Sequence, residues 1–425
     1  MSELTESPLA AGDRNLSVAQ ARDAIAAVLQ PITDTENVAL AQALGRVLAA
    51  DVISPIDVPA HDNSAMDGYA FAGSALQPAG ATRLRSVGTL FAGAPWPGVL
   101  GPGECLRIMT GAVIPTGADT VVPLELCRVE GEQVHIEAGV MRAGDNRRSR
   151  GEDLALGRPA LQAGRLLKPA DMGLVASLGI AALTVRRRLR VALFSTGDEI
   201  RTLGQPLGPG CVYDSNRYSL LGALQRLGME VVDLGLVADD RAALQATLEA
   251  AVAQADVVLT SGGVSMGDAD HTREVLARMG EVAFWKVAMR PGRPFAFGPL
   301  QRSSGAPPCW LFALPGNPVA ALVTFYAFAR EALLQLAGAT PQPLPVLQAR
   351  CTSAIRKRPG RTEFQRGVVE PAPGGGAWQV RLTGSQGAGV LRSMSQANAL
   401  VVLRHEQGSV AEGEMVDVWL FDGLN

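Results

Sequence analysis

Arg190-Val191-Ala192-Leu193-Phe194-Ser195-Thr196-Gly197-Asp198-Glu199 and Val257-Val258-Leu259-Thr260-Ser261-Gly262-Gly263-Val264-Ser265-Met266-Gly267-Asp268-Ala269-Asp270 decide how this chain folds. Each opens as a short, continuous apolar run and ends abruptly in hydroxyls, glycines and carboxylates. That is the pattern of a strand buried on both faces whose carboxyl end opens into a loop at the sheet edge. Between and beyond them the pattern alternates. Helical spacing over about 215–227, 241–254, 271–279 and 317–337 separates apolar runs near 231–237, 284–289, 294–298 and 309–314. Strand and helix in alternation predict a doubly wound α/β unit of about 150 residues, which binds ligands beyond the carboxyl ends of its strands.

Outward from this unit the punctuation changes. Residues 16–30 carry a helical stripe that Asn15 or Ser17 can cap, and a short helix is expected near 39–50. From about 51, short Val, Ile and Leu runs alternate with turns such as Trp96-Pro97-Gly98 and Gly101-Pro102-Gly103, as in a small β domain. Helical character returns at Leu167–Leu178, where Pro169 suits the first turn. Gly338-Ala339-Thr340-Pro341-Gln342-Pro343-Leu344-Pro345 reads as a linker, and short alternating runs with Gly374-Gly375-Gly376 follow it.

The expected architecture is an α/β multidomain protein. A helical segment over 1–50 packs with a helical linker region over 154–182, a β-rich lobe over 51–153 is inserted between them, the α/β domain spans 183–338, and a small C-terminal β-barrel spans 339–425.

Composition narrows the chemistry. The 425 residues are 47% hydrophobic and 19% charged, with mean hydropathy +0.15, so the chain can build sizeable cores. A net charge of −3 without long like-charge blocks argues against a dedicated nucleic-acid or membrane-surface protein. Five scattered cysteines without a Cys-x-x-Cys pair make neither a disulfide framework nor a zinc ribbon, and four dispersed histidines leave little for a His-based metal centre. Carboxylates are left as the candidate catalytic groups. Glu3 and Glu6 in place of a basic start, and the lack of a long uncharged apolar stretch, predict a cytoplasmic location.

Four segments at strand ends concentrate the candidate residues. Ser195 to Glu199 bring hydroxyls and carboxylates to the sheet edge, although an ordinary turn would read the same way. Asp214-Ser215-Asn216 opens a helix, and its amides could hold an anion or be satisfied by capping alone. The loop from Thr260 to Asp270 pairs Gly262 with Gly263, so backbone can approach a phosphate, while Asp268 and Asp270 call for a cation such as Mg²⁺ between them and any anion. Leu314-Pro315-Gly316-Asn317-Pro318 leads into a helix whose N-terminus offers a further anion site. Lys286, Arg290 and Arg293 supply cations to the same edge.

These segments, with DNSAMDGYA at 62–70, RIMTGAVIP at 107–115, GDNRRSRGED at 144–153, RPGRPFAFG at 290–298 and LPGNPVAALVTF at 314–325, resemble the molybdopterin molybdenumtransferase family. These are the MoeA-like proteins, related to the E domains of plant and animal cofactor proteins, and the resemblance runs from Ala41 to Leu420.

The resemblance implies an enzyme that inserts molybdate into adenylylated molybdopterin, releases AMP and uses Mg²⁺. By motif position it implies Asp67, Thr110, Asp153, Glu199, Asp239 and Asp270 as catalytic residues, with Glu199, Asp239 and Asp270 as metal ligands. Asp214, Ser261, Gly262, Gly263, Ser265, Lys286, Pro315, Asn317 and Pro318 would contact or shape the pterin site, and Arg290, Pro291, Arg361 and Arg366 would serve the oxyanion. It further implies a homodimer whose site joins the α/β domain of one subunit to the β lobe of the other, and it leaves room for contact with the molybdopterin adenylyltransferase and other enzymes of the pathway.

Three departures bear on the oxyanion: Arg290 and Arg293 stand where many relatives have Lys, Ala320 where Ser often follows Asn-Pro-Val, and Ala388 where a Ser is common. Two other functions remain as alternatives. An adenylyltransferase with a similar α/β unit is usually close to a lone domain, and a non-catalytic scaffold would not need the acidic set.

Overall fold

The computed structural model describes residues 15–263, 271–302, 306–341 and 344–421. The α/β domain is built on one seven-stranded sheet in the order Asn15–Leu16, Ala283–Val287, Pro294–Leu300, Cys309–Leu314, Val257–Ser261, Arg190–Thr196, Glu230–Val237. The last four strands in this order are mutually parallel, whereas Pro294–Leu300 runs antiparallel to both its neighbours, so the sheet is mixed.

Alternation along each central strand sorts its side chains between two cores. Val191, Leu193, Val257, Leu259, Phe312 and Leu314 face one cluster, and Ala192, Phe194, Val258, Leu311 and Ala313 face the other. The first cluster is covered by helices α1 (Val18–Val28), α3 (Ser215–Arg226) and α6 (Pro318–Leu336), and the second by α4 (Arg241–Gln254) and α5 (His271–Met279); α2 (Pro169–Ser177) lies outside this domain. Helices on both faces make the expected doubly wound arrangement.

Local sequence explains the helix ends. Ser17 is the cap of α1: its Oγ accepts from the Gln20 amide and the Gln20 side chain accepts from the Ser17 amide, a reciprocal capping box. Asp240 caps α4 by accepting from the amides of Ala242 and Ala243. Helix α6 contains a five-residue π segment, Phe325–Ala329, and Arg22 of α1 donates to the Ala327 carbonyl within it. The Arg22 guanidinium also lies 5.0 Å over the Trp419 ring of the C-terminal domain. By length and apolarity α6 could cross a membrane, but 78% of its most apolar window is buried inside the fold.

Two expected elements differ. The stretch 39–50 forms only the single 3₁₀ turn Leu40–Gln42, because Gly45 turns the backbone at φ 70° and Val47 and Leu48 then bridge to Leu166 and Val185. Extended segments take over: Thr35–Ala39 pairs with Ala182–Arg186, and Val52–Ile53 pairs with Pro159–Leu161, around a core of Leu48, Val175 and Leu183 beneath α2. The β lobe hangs from this body where Val58 bridges Leu154. Its six-stranded sheet runs Thr120–Pro123, Gly68–Phe71, Glu104–Ile108, Thr82–Leu90, Gln133–Ile136, Cys127–Glu130.

The C-terminal domain is a closed five-stranded barrel. Thr362–Pro371 pairs with Trp378–Leu382, followed in order by Leu347–Cys351, Met415–Leu420 and Ala399–Leu403, which returns to Thr362–Pro371. The single strand expected near 284–289 stops at Val287. Met289–Arg290 instead pairs with Thr362 and Glu363 of the barrel, a connection between domains that a local apolar pattern does not encode.

Asp256 ties the root of the sheet together. Its carboxylate accepts two bonds from the Arg187 guanidinium, at 2.7 and 2.9 Å, and one from the Arg190 amide. Burial pushes its pKa up, but the Arg187 and Arg190 bonds outweigh burial and hold it below the ordinary carboxylate value. A carboxyl lowered in the folded state stabilises the fold above its unfolded pKa of about 3.9, and that contribution is lost as pH falls through the lower folded value. Asp256→Asn is therefore expected to cost about 2–3 kcal/mol in urea unfolding at neutral pH. The difference from the parent should close on acidification below about pH 4, and a constant difference across that range would contradict this reading.

Candidate active site

The carboxyl ends of the parallel strands open into a cleft of about 1,120 Å³. Its floor is backbone. Gly262 and Gly263 lie at φ 92° and 69°, and a Cβ on Gly262 would stand 2.2 Å from the Thr196 carbonyl oxygen. A Cβ on Gly263 would stand 2.8 Å from Thr272 Oγ1. Glycine is required here twice over, by conformation and by the approach of the neighbouring strand end. Gly316 crosses from the next loop, where a Cβ would meet only the Gly262 Cα at 3.8 Å.

A buried network fixes the three loops. Asn216 Nδ2 donates to Ser261 Oγ and to the Gly316 carbonyl, both at 2.7 Å, and Ser261 Oγ donates to the Pro315 carbonyl at 3.5 Å. Ser261 thus holds the floor from below, with 1% of its surface exposed. Asp214 is likewise engaged: Oδ1 accepts from Ser195 Oγ and the Arg217 amide, and Oδ2 from Arg217 Nε. Arg217 also binds both oxygens of Asp233. The start of α3 is therefore capped by its own carboxylate.

At the N-terminus of α6 one amide is already engaged. Pro318 has no N–H, and the Val319 amide donates to the Ala388 carbonyl of the barrel at 3.0 Å. Asn317, Pro318 and Ala320 at this helix start still line the cleft.

Charge of both signs lines the cleft. Glu199 and Asp239 line the cleft from the loops after their strands, while Arg290, Arg293 and Arg361 line it towards the barrel. Pro291, Pro315, Asn317 and Pro318 complete its sides. Arg366 is fully buried behind this wall. Nε donates to Ser393 Oγ, and its other nitrogens donate to the carbonyls of Ser385, Gln386 and Gly387. Burial, with a smaller contribution from Arg290, pushes its pKa down to about 10. Arg366 is thereby the staple of the loop that places Gln386, Ala388 and Gly389 in the cleft.

The other expected residues lie elsewhere. Lys286 sits in register with Asn15 and Pro294 within the sheet and does not line the cleft. Asp67 and Thr110 meet in the β lobe, where Asp67 Oδ1 accepts from both the hydroxyl and the amide of Thr110 at 2.7 Å. Those two bonds, the hydroxyl's first, hold the Asp67 carboxyl below its ordinary value. Asp153 is exposed near the neck, its amide donating to Val58. Ser265, Asp268 and Asp270 lie outside the described residues. Among the described residues no group of three or more His, Cys, Asp or Glu comes together.

Thr196, Asn216 and Arg293, which belong to the segments and cations read from the sequence, line the cleft, whereas Thr272 and Gln386 were not anticipated and carry weak local signals. Thr196 and Thr272 are buried, with hydroxyls that lack a hydrogen-bond partner among the described residues. A second cleft of about 470 Å³ lies between α1 and α6, lined by Ile25, Leu166, Phe328 and Leu334, without a glycine floor.

The floor makes a direct prediction. Gly262→Ala should cost about 1–3 kcal/mol of stability from backbone strain alone and abolish ligand binding, while Gly316→Ala should fold within about 0.5 kcal/mol of the parent. Urea unfolding and ligand titration of both variants check it; equal behaviour of the pair would refute the close-approach argument.

Comparison with known proteins agrees with this arrangement. Residues 16–179 match the MoeA N-terminal region (domain I and II), 192–335 a probable molybdopterin binding domain, and 348–421 the MoeA C-terminal region (domain IV). The chain is 40% identical over 410 residues to the molybdopterin molybdenumtransferase of Haemophilus influenzae, covering 96% of this chain and 99% of that one. It is 37% identical over 399 residues to molybdopterin molybdenumtransferase 2 of Mycobacterium tuberculosis, covering 92% and 95%. The crystal structure of the molybdopterin biosynthesis moeA protein from Pyrococcus horikoshii OT3 superposes with a TM-score of 0.80 at 26% identity, covering 96% of this chain and all of that one. The cleft is lined from two of these three regions, the molybdopterin binding domain and the C-terminal region, and the chain, matched along its length by all three, belongs to the MoeA family of molybdopterin molybdenumtransferases.

Proposed function

We propose that this protein inserts molybdate into adenylylated molybdopterin, with release of AMP, to form the molybdenum cofactor. The observation that carries the reading is the make-up of the cleft: a backbone floor at Gly262–Gly263, carboxylates at Glu199 and Asp239, and arginines at Arg290, Arg293 and Arg361. A phosphoanhydride needs donors and cations along its oxygens, and a tetrahedral dianion needs cations away from carboxylates. The cleft supplies both kinds of group, with Arg290 and Arg293 the arginines that no carboxylate pairs among the described residues. The barrel's contribution through Arg361, Gln386 and Ala388 favours this reading over an adenylyltransferase built on the α/β unit alone.

Glu199 and Asp239 are hard oxygen donors in one cleft, which suits Mg²⁺, and Asp270 is proposed as the third ligand. When bound, the ion would screen the charge of the anhydride and polarise its phosphoryl oxygens. Gly262, Gly263, Pro315, Asn317 and Pro318 would bind the pterin and its phosphate. Asp214 and Ser261 would act by holding the loops rather than by touching ligand, since their oxygens are engaged internally. Asp67, Thr110 and Asp153 are proposed to complete the cleft of a second copy in a homodimer. The cysteines, all unpaired, fit a cytoplasmic setting.

Purified protein with Mg²⁺ and adenylylated molybdopterin should yield AMP and molybdenum-loaded pterin only when molybdate is present. Binding without turnover would make the protein a scaffold, and adenylate formed from ATP and molybdopterin would make it an adenylyltransferase. Glu199→Gln should lower molybdate-dependent AMP release about a hundredfold, with the pterin still bound. Unchanged release would remove Glu199 from the site.

A further inference from the structure

The arginine wall of the cleft does not end at the cleft. Arg290 and Arg361 also line a groove of about 820 Å³ on the barrel, with Arg356, Lys357, Arg358 and Glu363. Arg290 and Arg356 line a smaller cavity of about 250 Å³ beside it, backed by Arg366 and sharing Pro291 and Gln386 with the cleft. Six cations therefore surround these two spaces against one carboxylate, Glu363, and that carboxylate is already bonded to Arg361 Nε at 2.8 Å.

The buried cations are fixed in place without a carboxylate. Lys357 Nζ donates to the carbonyls of Arg358, His405 and Gln407, and Arg366 donates to carbonyls and the Ser393 hydroxyl. Arg356 and Arg358 are exposed, and neither side chain has a hydrogen bond or ion pair among the described residues. Nothing in their packing asks for a charge. Positive groups concentrated over low-dielectric walls focus the field and raise the local concentration of small anions.

Resting on the transfer reaction proposed above, we infer that Arg356 and Arg358 gather the tetrahedral oxyanion on the barrel face and deliver it past Arg290 to the cleft, apart from the mouth that the larger nucleotide-bearing substrate enters. The smaller cavity, about 250 Å³, has room for a dianion of this size. Both arginines are steering residues, so their charge should act on capture of the oxyanion and leave the chemical step alone.

The test is the double variant Arg356→Gln/Arg358→Gln, assayed over a molybdate series at about 0.02 M and about 0.15 M ionic strength. The apparent KM for molybdate is expected to rise about tenfold at low salt, and this gap should narrow at the higher salt, with kcat and the KM for adenylylated molybdopterin unchanged. A molybdate KM equal to that of the parent at both salts would overturn the inference. A rise in the KM for the pterin substrate instead would also overturn it, assigning the arginines to nucleotide phosphates. If the parent itself turns over no molybdate, the proposed reaction fails; calorimetric binding of molybdate alone to parent and variant then decides, and equal affinities overturn the steering role.

Discussion

Parallel register is the constraint from which the site follows. Ser195, Ser261 and Leu314 stand side by side at the ends of three adjacent strands, so the chain leaves the sheet three times at one level. Hydrogen bonding between parallel strands allows no independent choice of where each loop begins. Thr196, Gly262 and Pro315 are therefore delivered to one edge, close enough that no side chain fits between the Gly262 Cα and the Thr196 carbonyl. The cleft floor is a by-product of the sheet's pairing, and Asn216 locks it by bridging Ser261 to Gly316.

The barrel supplies what the sheet edge lacks. Three contacts seat it against the α/β domain: the pairing of Met289–Arg290 with Thr362 and Glu363, the bond from the Val319 amide to Ala388, and Arg22 over Trp419. The first two also set chemistry. One brings Arg290 to the cleft beside the barrel, and the other engages the Val319 amide of α6 with a protein carbonyl, so side-chain cations take a larger share of any negative charge in the cleft. Arg366 makes that arrangement rigid by binding three successive carbonyls of the loop, and its depressed pKa reflects a cation buried with no carboxylate to offset it.

Much of this was legible in the sequence because the signals were local. Apolar runs ending in Ser195 to Glu199 and in Thr260 to Gly263 carried both the strands and their loops, and the helices from 215 onward followed from periodicity and, at the first, the Asp214 cap. What was not legible depends on distant partners. The 39–50 stretch looked helical, but Gly45 and bridges to Leu166 and Val185 made it extended. The bond from the Val319 amide of α6 was not legible because Ala388 lies far along the chain. Asp214 and Ser261 look like ligand contacts in sequence, yet Arg217 and Asn216 turn their oxygens inward.

The central claim is that one cleft, floored by Gly262 and Gly263 and walled by Arg290 and Arg361, holds the pterin substrate and the oxyanion together. A crystal structure of the protein with adenylylated molybdopterin and tungstate tests it most directly. The account predicts the pterin phosphate against the glycine floor and the tungsten density beside Arg290. Pterin density in the apolar cleft between α1 and α6, or tungsten remote from the arginine wall, would contradict it.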